Sequence, residues 1–285
     1  ILIPVYNDWD SVFKLLQIID SEISVFDHEF SVYIVDDAST EKMQKTKFNY
    51  KNLKSVDVIK MKKNQGHTRC NATGLKYLSE KKNFDYLIFM DGDGEDRPEE
   101  IIEFLSEVKN SNNKPIVGER VKRSEDLKFK ICYALHKVFT LVFTGQLIKF
   151  GNFTCLPKSV VEKMINEKAT WNSFSGSLKK IERNLVSIPS VRGKRYFGPS
   201  KMSFYNLVKH SLSIIAVFKI NVIIRSILFY IIYLFLISDH LTYVTSIPLI
   251  ATLALVISVL TISKRENIEE LNDSLSNIEN IEEIK

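Results

Sequence analysis

Between Phe84 and Glu99 the sequence FDYLIFMDGDGEDRPE places Asp91, Asp93, Glu95 and Asp96 directly after the apolar run Leu87-Ile88-Phe89-Met90. Alternate acids spaced by Gly92 and Gly94 can converge on one hard cation, Mg2+ or Mn2+, with a diphosphate completing its shell. The plainer alternative is a solvated acidic turn, since Asp and Gly favour turns. Pro98 and the pair Glu99-Glu100 would then open the following helix. A calcium loop of the EF-hand kind is excluded. Counted from Asp91, the sixth position is Asp96 where Gly is needed, and the twelfth is Ile102 where Glu is needed.

The elements that position these acids follow from the apolar pattern. The run before Asp91 suits a strand buried on both faces of a parallel sheet. Open α/β sheets bind ligands just beyond the carboxyl ends of such strands. The arrangement repeats: a strand over 1–5 ends at Tyr6-Asn7-Asp8, and one over 30–35 ends at Asp36-Asp37-Ala38-Ser39-Thr40. A third, over 55–61, leads to Asn64-Gln65-Gly66 and a helix through Tyr77. Asp10 or Ser11 is expected to cap the first helix, whose Val12, Leu15, Leu16 and Ile19 recur at helical spacing. Further strands are expected at 114–118, 150–157 and 185–191, and an amphipathic helix at 128–143. Such alternation predicts βαβ units and a mostly parallel sheet. No GxGxxG or GxxxxGK[ST] occurs, so a dinucleotide fold or P-loop has no local support.

From Ser203 the composition changes. Phe204, Leu207, Val208, Leu212 and Ile215 line one face of a helix bordered by Lys201, Lys209, His210 and Lys219, as in a helix lying in the membrane interface over 202–220. A span over 222–238 is long enough if Arg225 snorkels, and 241–263 is an uncharged second span interrupted by Pro248. Their connection carries no Lys or Arg, whereas both outer flanks are basic. The positive-inside rule therefore predicts a transmembrane hairpin (221–263) with both ends, and with them the α/β domain (1–201), cytoplasmic. A buried core hairpin is the alternative. The acidic tail, 264–285, is expected to be a frayed solvated helix, with Ile268, Leu271, Leu275 and Ile278 too few for a coiled coil. Its acids leave the rest of the protein basic, suited to phosphate-bearing partners or anionic lipid. Cys70, Cys132 and Cys155 form no CxxC, which predicts neither disulfide framework nor zinc site and favours a reducing compartment. Ile1 already reads as strand, so the natural start is expected upstream.

Taken in order, IPVYND, VDDAST, NQGHTRCNATG, MDGDGEDRPEE, GERVKR and RYFGPSK, followed by two spans, resemble family 2 glycosyltransferases. Within them the resemblance is to polyprenyl-phosphate glycosyltransferases such as dolichyl-phosphate mannose synthase and bactoprenol glucosyltransferases. It implies a GT-A fold, a nucleotide-sugar donor, Mg2+ or Mn2+, and inverting transfer of a hexose. It also implies that Pro4, Tyr6, Asp8, Val35 and Asp37 hold the nucleotide, with Asn64 and Gly66 in the third motif. Asp91, Gly92 and Asp93 would lie at donor and metal, with Glu95 a third metal ligand where the family often has Gln. Arg120, Arg195 and Lys201 would meet phosphates. Catalysis would rest on Asp91, Asp93, Arg120 and Arg195. The chemistry is coherent, because departure of a nucleoside diphosphate needs charge neutralisation.

Two departures bear on substrate. The family's DADLQ-like run is DGDGED here, and the Asp that many members place before Gly-Phe is replaced by Phe150-Gly151-Asn152-Phe153. A sugar hydroxyl normally needs a general base, whereas a phosphate monoester, with a second pKa of about 6, is already largely anionic at neutral pH. Polyprenyl phosphate in a lipid bilayer is thus the expected acceptor. Asp96, Glu119 or Glu125 remains available as a base for a hydroxyl on a lipid-linked glycan. A catalytically inactive, membrane-anchored binding subunit is the alternative outside enzymes. Nucleic acid is not an expected partner, and a homo-oligomer is compatible with the sequence.

Overall fold

The computed structural model describes residues 1–43, 49–122, 137–199 and 203–285. The fold begins β1 (Leu2–Val5), α1 (Trp9–Glu22), β2 (Phe30–Asp36), β3 (Leu53–Met61), α2 (His67–Lys81), β4 (Tyr86–Phe89) and α3 (Ile101–Val108). There follow β5 (Ile116–Lys122), β6 (Phe150–Pro157), α4 (Lys158–Ile165), α5 (Phe174–Ile181) and β7 (Val186–Val191). The strands form one sheet in the order β7-β5-β6-β4-β1-β2-β3, with one further strand beyond β3. β1 runs parallel to β2 and β4, β2 to β3, and β5 to β7; β6 runs antiparallel to β4 and β5.

Side chains alternate between two cores, as the period-2 pleat requires. Ile3 and Val5 of β1 and Ile88 of β4 face the layer holding α1 and α3; Leu2, Leu87 and Phe89 face α2, α4 and α5. Both faces are covered, so the central strands are apolar throughout. Strand order reverses direction between β1 and β4, and at such a switch point the loops after neighbouring strands part to leave a crevice. Asp8, Asp37, Asp91 and Asp93 all follow strands β1, β2 and β4 at that end.

The first helix is capped differently from expectation. Asp8 is its N-cap residue, and its carboxylate accepts from the Ser11 hydroxyl (2.6 Å) instead of from a backbone amide. That leaves its second oxygen for the site.

Beyond the sheet, α6 (Phe204–Ala216) starts at Ser203, whose hydroxyl accepts from Asn206 N, and is followed by α7 (Lys219–Leu236) and α8 (Tyr243–Ser263). Ile214, Ile215 and Ala216 are buried, while Phe204, Tyr205 and Val208 face outward. α7 and α8, of 18 and 21 residues, are long and apolar enough to cross a membrane and pack as a hairpin. Arg225 does not extend along the span: its Nη1 donates to the carbonyl of Val142 (3.0 Å), at the helical stretch 137–144. The rest of the amphipathic helix expected over 128–143 lies outside the described residues.

The tail overturns the expectation of a frayed helix. After α8 it forms α9 (Ile268–Asn272) and then β8 (Ile278–Glu283), which pairs antiparallel with β3 as the eighth strand of the sheet. Lys60 meets Glu282 at 2.7 Å across this pair. Leu271 is fully buried against Trp171 and Ala72, a burial worth about 1.5–3 kcal/mol. Ile268, Leu271, Leu275 and Ile278 recur at intervals of three and four, which imitates a helix, but the open edge of β3 supplies a ladder that local spacing cannot reveal. The sheet of residues 1–201 is thus completed by a segment from beyond the hairpin. Cutting near Lys201 would uncover that edge.

Candidate active site

Arg195 is the centre of the site. Its guanidinium donates from Nη1 to Asp93 Oδ2 and from Nη2 to Asp8 Oδ2, both at 2.5 Å, and its side chain is only 16% exposed. Three stretches far apart in sequence therefore meet at the crevice: the end of β1, the loop after β4, and the basic loop after β7. The backbone reinforces the closure, with Gly193 N donating to Glu95 O (2.8 Å) and Tyr196 N to Asp93 O (3.0 Å). Arg192 pairs with the Glu95 carboxylate. Gly94 has φ +85°, and a Cβ there would stand 2.5 Å from the Tyr196 ring. Only glycine lets that ring lie against the acidic loop. Lys14 sits over the outer face of the same ring, 4.8 Å from its centroid.

On the other flank, Asp91 accepts from Asn152 Nδ2 (3.0 Å), and Asn152 also lies 2.7 Å from His67 Nε2. His67 Nε2 stands 3.7 Å from Asp91 Oδ1. Arg120, on β5, passes so close to Gly151 that a Cβ there would meet its Nη2 at 2.6 Å. Asp96 is buried and accepts from Asp91 N (2.9 Å). Asp37, also buried, accepts from Gln65 N and Gly66 N, each at 2.9 Å, while Asn64 Oδ1 accepts from Gly66 N as well. Pro4 pairs with Val35 across β1 and β2, both inside the sheet, and Tyr6 is exposed at the end of β1. Gly92 lies directly against the Pro4 carbonyl. Lys201 and Glu125 lie outside the described residues. Sequence reading named neither His67 nor Arg192 as part of the site. His67 sits in the NQGHTR motif immediately after Gly66, and that position was its only signal.

The acids do not titrate alike. Burial opposes ionisation of Asp91, but His67, the Asn152 hydrogen bond, Arg120 and Arg192 together hold its carboxyl below the usual range. Burial, then the charges of Asp91 and Glu95, push Asp93 up to about 6. Burial, then Asp91, push Asp96 up to about 7. A carboxyl whose folded pKa exceeds its unfolded one stabilises the fold at low pH and loses that contribution as pH rises through the folded value. The Tm of the metal-free protein should therefore fall as pH rises from about 4 to about 7 and level off above that, and Asp96→Asn should shrink that fall while keeping an oxygen for Asp91 N. Parallel wild-type and variant Tm curves across that interval would contradict a neutralised Asp96.

Asp91, Asp93 and Glu95 do not form a ready-made cage: among the described residues no group of three His, Cys, Asp or Glu side chains converges on an ion site. Glu95 is engaged by Arg192 on the side of the basic loop. The position between Asp93 and Asp8 nevertheless holds a cation, the Arg195 guanidinium. Among the described residues Arg195 Nε is buried with no hydrogen-bond partner, a donor suited to a phosphate oxygen. The residues fit a divalent ion held by one or two carboxylates with the rest of its shell from a diphosphate, the usual manner of Mg2+.

Residues 1–167 match the family Glycosyl transferase family 2. Undecaprenyl-phosphate 4-deoxy-4-formamido-L-arabinose transferase of Klebsiella pneumoniae is 24% identical over 222 residues, covering 73% of this protein and 63% of that one. The enzyme of that name in Proteus mirabilis is 23% identical over 220 residues, covering 73% and 64%. The protein thus spans less than two thirds of the length of these relatives. Mannosyl-3-phosphoglycerate synthase from Rubrobacter xylanophilus superposes with TM-score 0.56 at 13% identity, over 76% of this protein and 71% of its own length. Glucosyl-3-phosphoglycerate synthase from Mycobacterium tuberculosis, in complex with Mn2+, UDP and glucosyl-3-phosphoglycerate, gives 0.50 at 13% identity, over 77% and 78%. At these identities the structural likeness is one of fold, and that fold is the expected GT-A arrangement of a mostly parallel sheet between helices. The matched family covers more than half of the sequence, including the ends of β1, β2 and β4 where the acids gather. By that match the protein belongs to glycosyl transferase family 2.

Proposed function

We propose that this protein transfers a hexose from a UDP- or GDP-linked sugar to polyprenyl phosphate at the cytoplasmic face of a membrane. The observation that carries the reading is the Arg195 fork across Asp8 and Asp93, at a sheet crevice of a protein with two apolar spans. Pro4, Tyr6, Val35 and Asp37 form the nucleotide wall, with the Gln65 and Gly66 amides fixing the Asp37 carboxylate and Asn64 accepting from Gly66 N. Asp93, with Asp91, would hold Mg2+ or Mn2+, an ion of the kind bound with UDP in the mycobacterial synthase. Such an ion, when bound, neutralises the diphosphate as it departs. Arg195 exchanges its carboxylate partners for phosphate oxygens as donor enters, and Arg120 supplies a second positive charge near Asp91 and Asp96. Lys201 is assigned to the same phosphates by its motif.

The surroundings favour a phosphate acceptor over a hydroxyl. The stretch Phe150-Gly151-Asn152-Phe153 offers no carboxylate as a base, and the Asn152 amide donates to Asp91. Glu119 is engaged by Lys149 at 2.7 Å, and Asp96 faces the Asp91 amide. A group that arrives ionised needs positioning more than deprotonation. The exposed Phe204, Tyr205 and Val208 at the start of α6 suit a helix seated in the lipid interface. Lys219 and Arg225 in the first part of α7 and Lys264 and Arg265 after α8 support a reading with both ends on the cytoplasmic side.

The test is incubation of membranes carrying the protein with a panel of UDP- and GDP-sugars and short polyprenyl phosphates, reading lipid products by mass. A single sugar added to polyprenyl phosphate, lost on chelation and restored by Mg2+ or Mn2+, is expected. Products only on a hydroxyl-bearing lipid-linked glycan would move the assignment to that acceptor.

A further inference from the structure

The loop between β3 and α2 is held from two sides. On its inner side, Gln65 N and Gly66 N fix the two oxygens of Asp37. On its outer side lies the tail. Lys62 N donates to Asn277 O (2.7 Å), and Asn277 Nδ2 donates to Lys63 O (3.1 Å) and lies 3.9 Å from Met61 Sδ. Lys62 Nζ adds a bond to Ser276 O (2.6 Å). Asn277 is itself buried, so these bonds form away from competing water.

The far end of the loop is fastened by the same segment. Arg69, in the first turn of α2, pairs with Glu270 of α9 at 3.1 Å and stacks over Trp171. Trp171 Nε1 donates to Glu270 at 2.7 Å. Between these two anchors only Asn64, Gln65, Gly66, His67 and Thr68 remain, and Gly66 has φ +87°, a backbone state most side chains avoid. A short bridge pinned at both ends has little freedom in where its amides point.

We infer that Asn277 is a positioning residue for the donor site: through residues 61–63 it sets the Gln65 and Gly66 amides that orient Asp37. The segment following the second span is thereby part of the donor pocket's support. This rests on the reading that Asp37 meets the nucleotide.

The experiment compares the full-length protein in nanodiscs with Asn277→Ala and with Glu270→Ala, the latter half-exposed and tolerable to the fold. Amide hydrogen exchange at Gln65 and Gly66 should quicken about tenfold in Asn277→Ala, the scale of one lost buried hydrogen bond, with Ile3 and Ile34 unchanged. UDP or GDP should bind about tenfold more weakly, and donor KM should rise in step while kcat stays within about twofold. Glu270→Ala should give the same pattern more weakly, and it carries the test if Asn277→Ala does not fold. A purely structural role would lower kcat with the folded fraction and leave KM alone. Unchanged exchange at Gln65 and Gly66 overturns the clamp. Faster exchange with unaltered nucleotide affinity and KM overturns its link to the donor. Failure of the wild type to bind UDP or GDP would instead remove the nucleotide reading of Asp37, and this assignment with it.

Discussion

Asp93→Asn is expected to give a folded protein that has lost metal-dependent transfer. The folded carboxyl titrates near 6 because burial and the charges of Asp91 and Glu95 disfavour its ionised form. Its negative charge is therefore maintained at neutral pH against a cost, and a neutral side chain of the same shape relieves that cost. Tm above about pH 6 should be equal to or higher than the wild type's, since stability linked to a raised carboxyl pKa is lost as pH climbs past it. Asn retains an oxygen for Glu95 N, which Asp93 Oδ1 now serves at 2.9 Å. On the proposed reading, what the variant lacks is a charged ligand for the cation that accompanies the donor diphosphate. Turnover should fall by a factor of about 10² to 10³, as for loss of one electrostatic contact to the transition state. Chelation of the wild type should reproduce the defect, and added Mg2+ or Mn2+ should reverse it there but not in the variant. Transfer, nucleotide-sugar affinity across a metal titration, and thermal melts measure the three arms. A folded Asp93→Asn variant with full transfer and unaltered metal dependence would remove Asp93 from the site.

The parts of this fold that local pattern controls were legible in the sequence. Buried parallel strands announce themselves as apolar runs, and acids placed directly after three of them mark the ligand end of the sheet. What the residues did not disclose depends on contacts between distant segments. Arg195 and Asp8 are 187 positions apart, and Arg192 and Glu95 are 97 apart. Nothing in either neighbourhood says that Glu95 turns towards an arginine of the basic loop while Asp93 faces the crevice. The resemblance to a known family grouped Glu95 with the metal ligands; the closed loop instead gives it a cation from the protein. β8 was hidden for a related reason, because an edge strand draws its pairing from its partner and its own spacing imitated a helix. His67 and Asn152 were hidden differently. Each residue is unremarkable alone, and only the folded sheet brings both to within hydrogen-bonding distance of one another beside Asp91.

Arg195→Ala should separate the two roles that one guanidinium performs. In the empty site it neutralises Asp8 and Asp93, so its removal leaves two inward carboxylates facing each other without a cation. Arg195 at present lowers the Asp93 pKa. Without it that carboxyl should titrate higher, and the variant should lose more stability than the wild type as pH rises above about 6. Divalent ions should then stabilise the variant more than the wild type even without nucleotide, because Asp93 Oδ2 no longer has a guanidinium to displace. On the proposed reading, in the loaded site the same change removes a phosphate-pairing fork from a partly desolvated crevice. That loss should cost about 2–4 kcal/mol of transition-state stabilisation, lowering turnover by roughly 10² to 10³. Arg195→Lys should recover the empty-site charge but little of the turnover, because an ammonium cannot reproduce two parallel donors. Lys60→Ala is the control, since Lys60 pairs with Glu282 on the sheet edge, and such a partly exposed pair is worth about 0–1 kcal/mol. The decisive comparison is Mn2+ affinity of the nucleotide-free proteins set beside their turnover. Tighter Mn2+ binding with slower transfer in Arg195→Ala supports a guanidinium that stands in for the metal and later serves the leaving diphosphate. Equal, small effects at Arg195 and Lys60 would reduce the basic loop to a solvated linker.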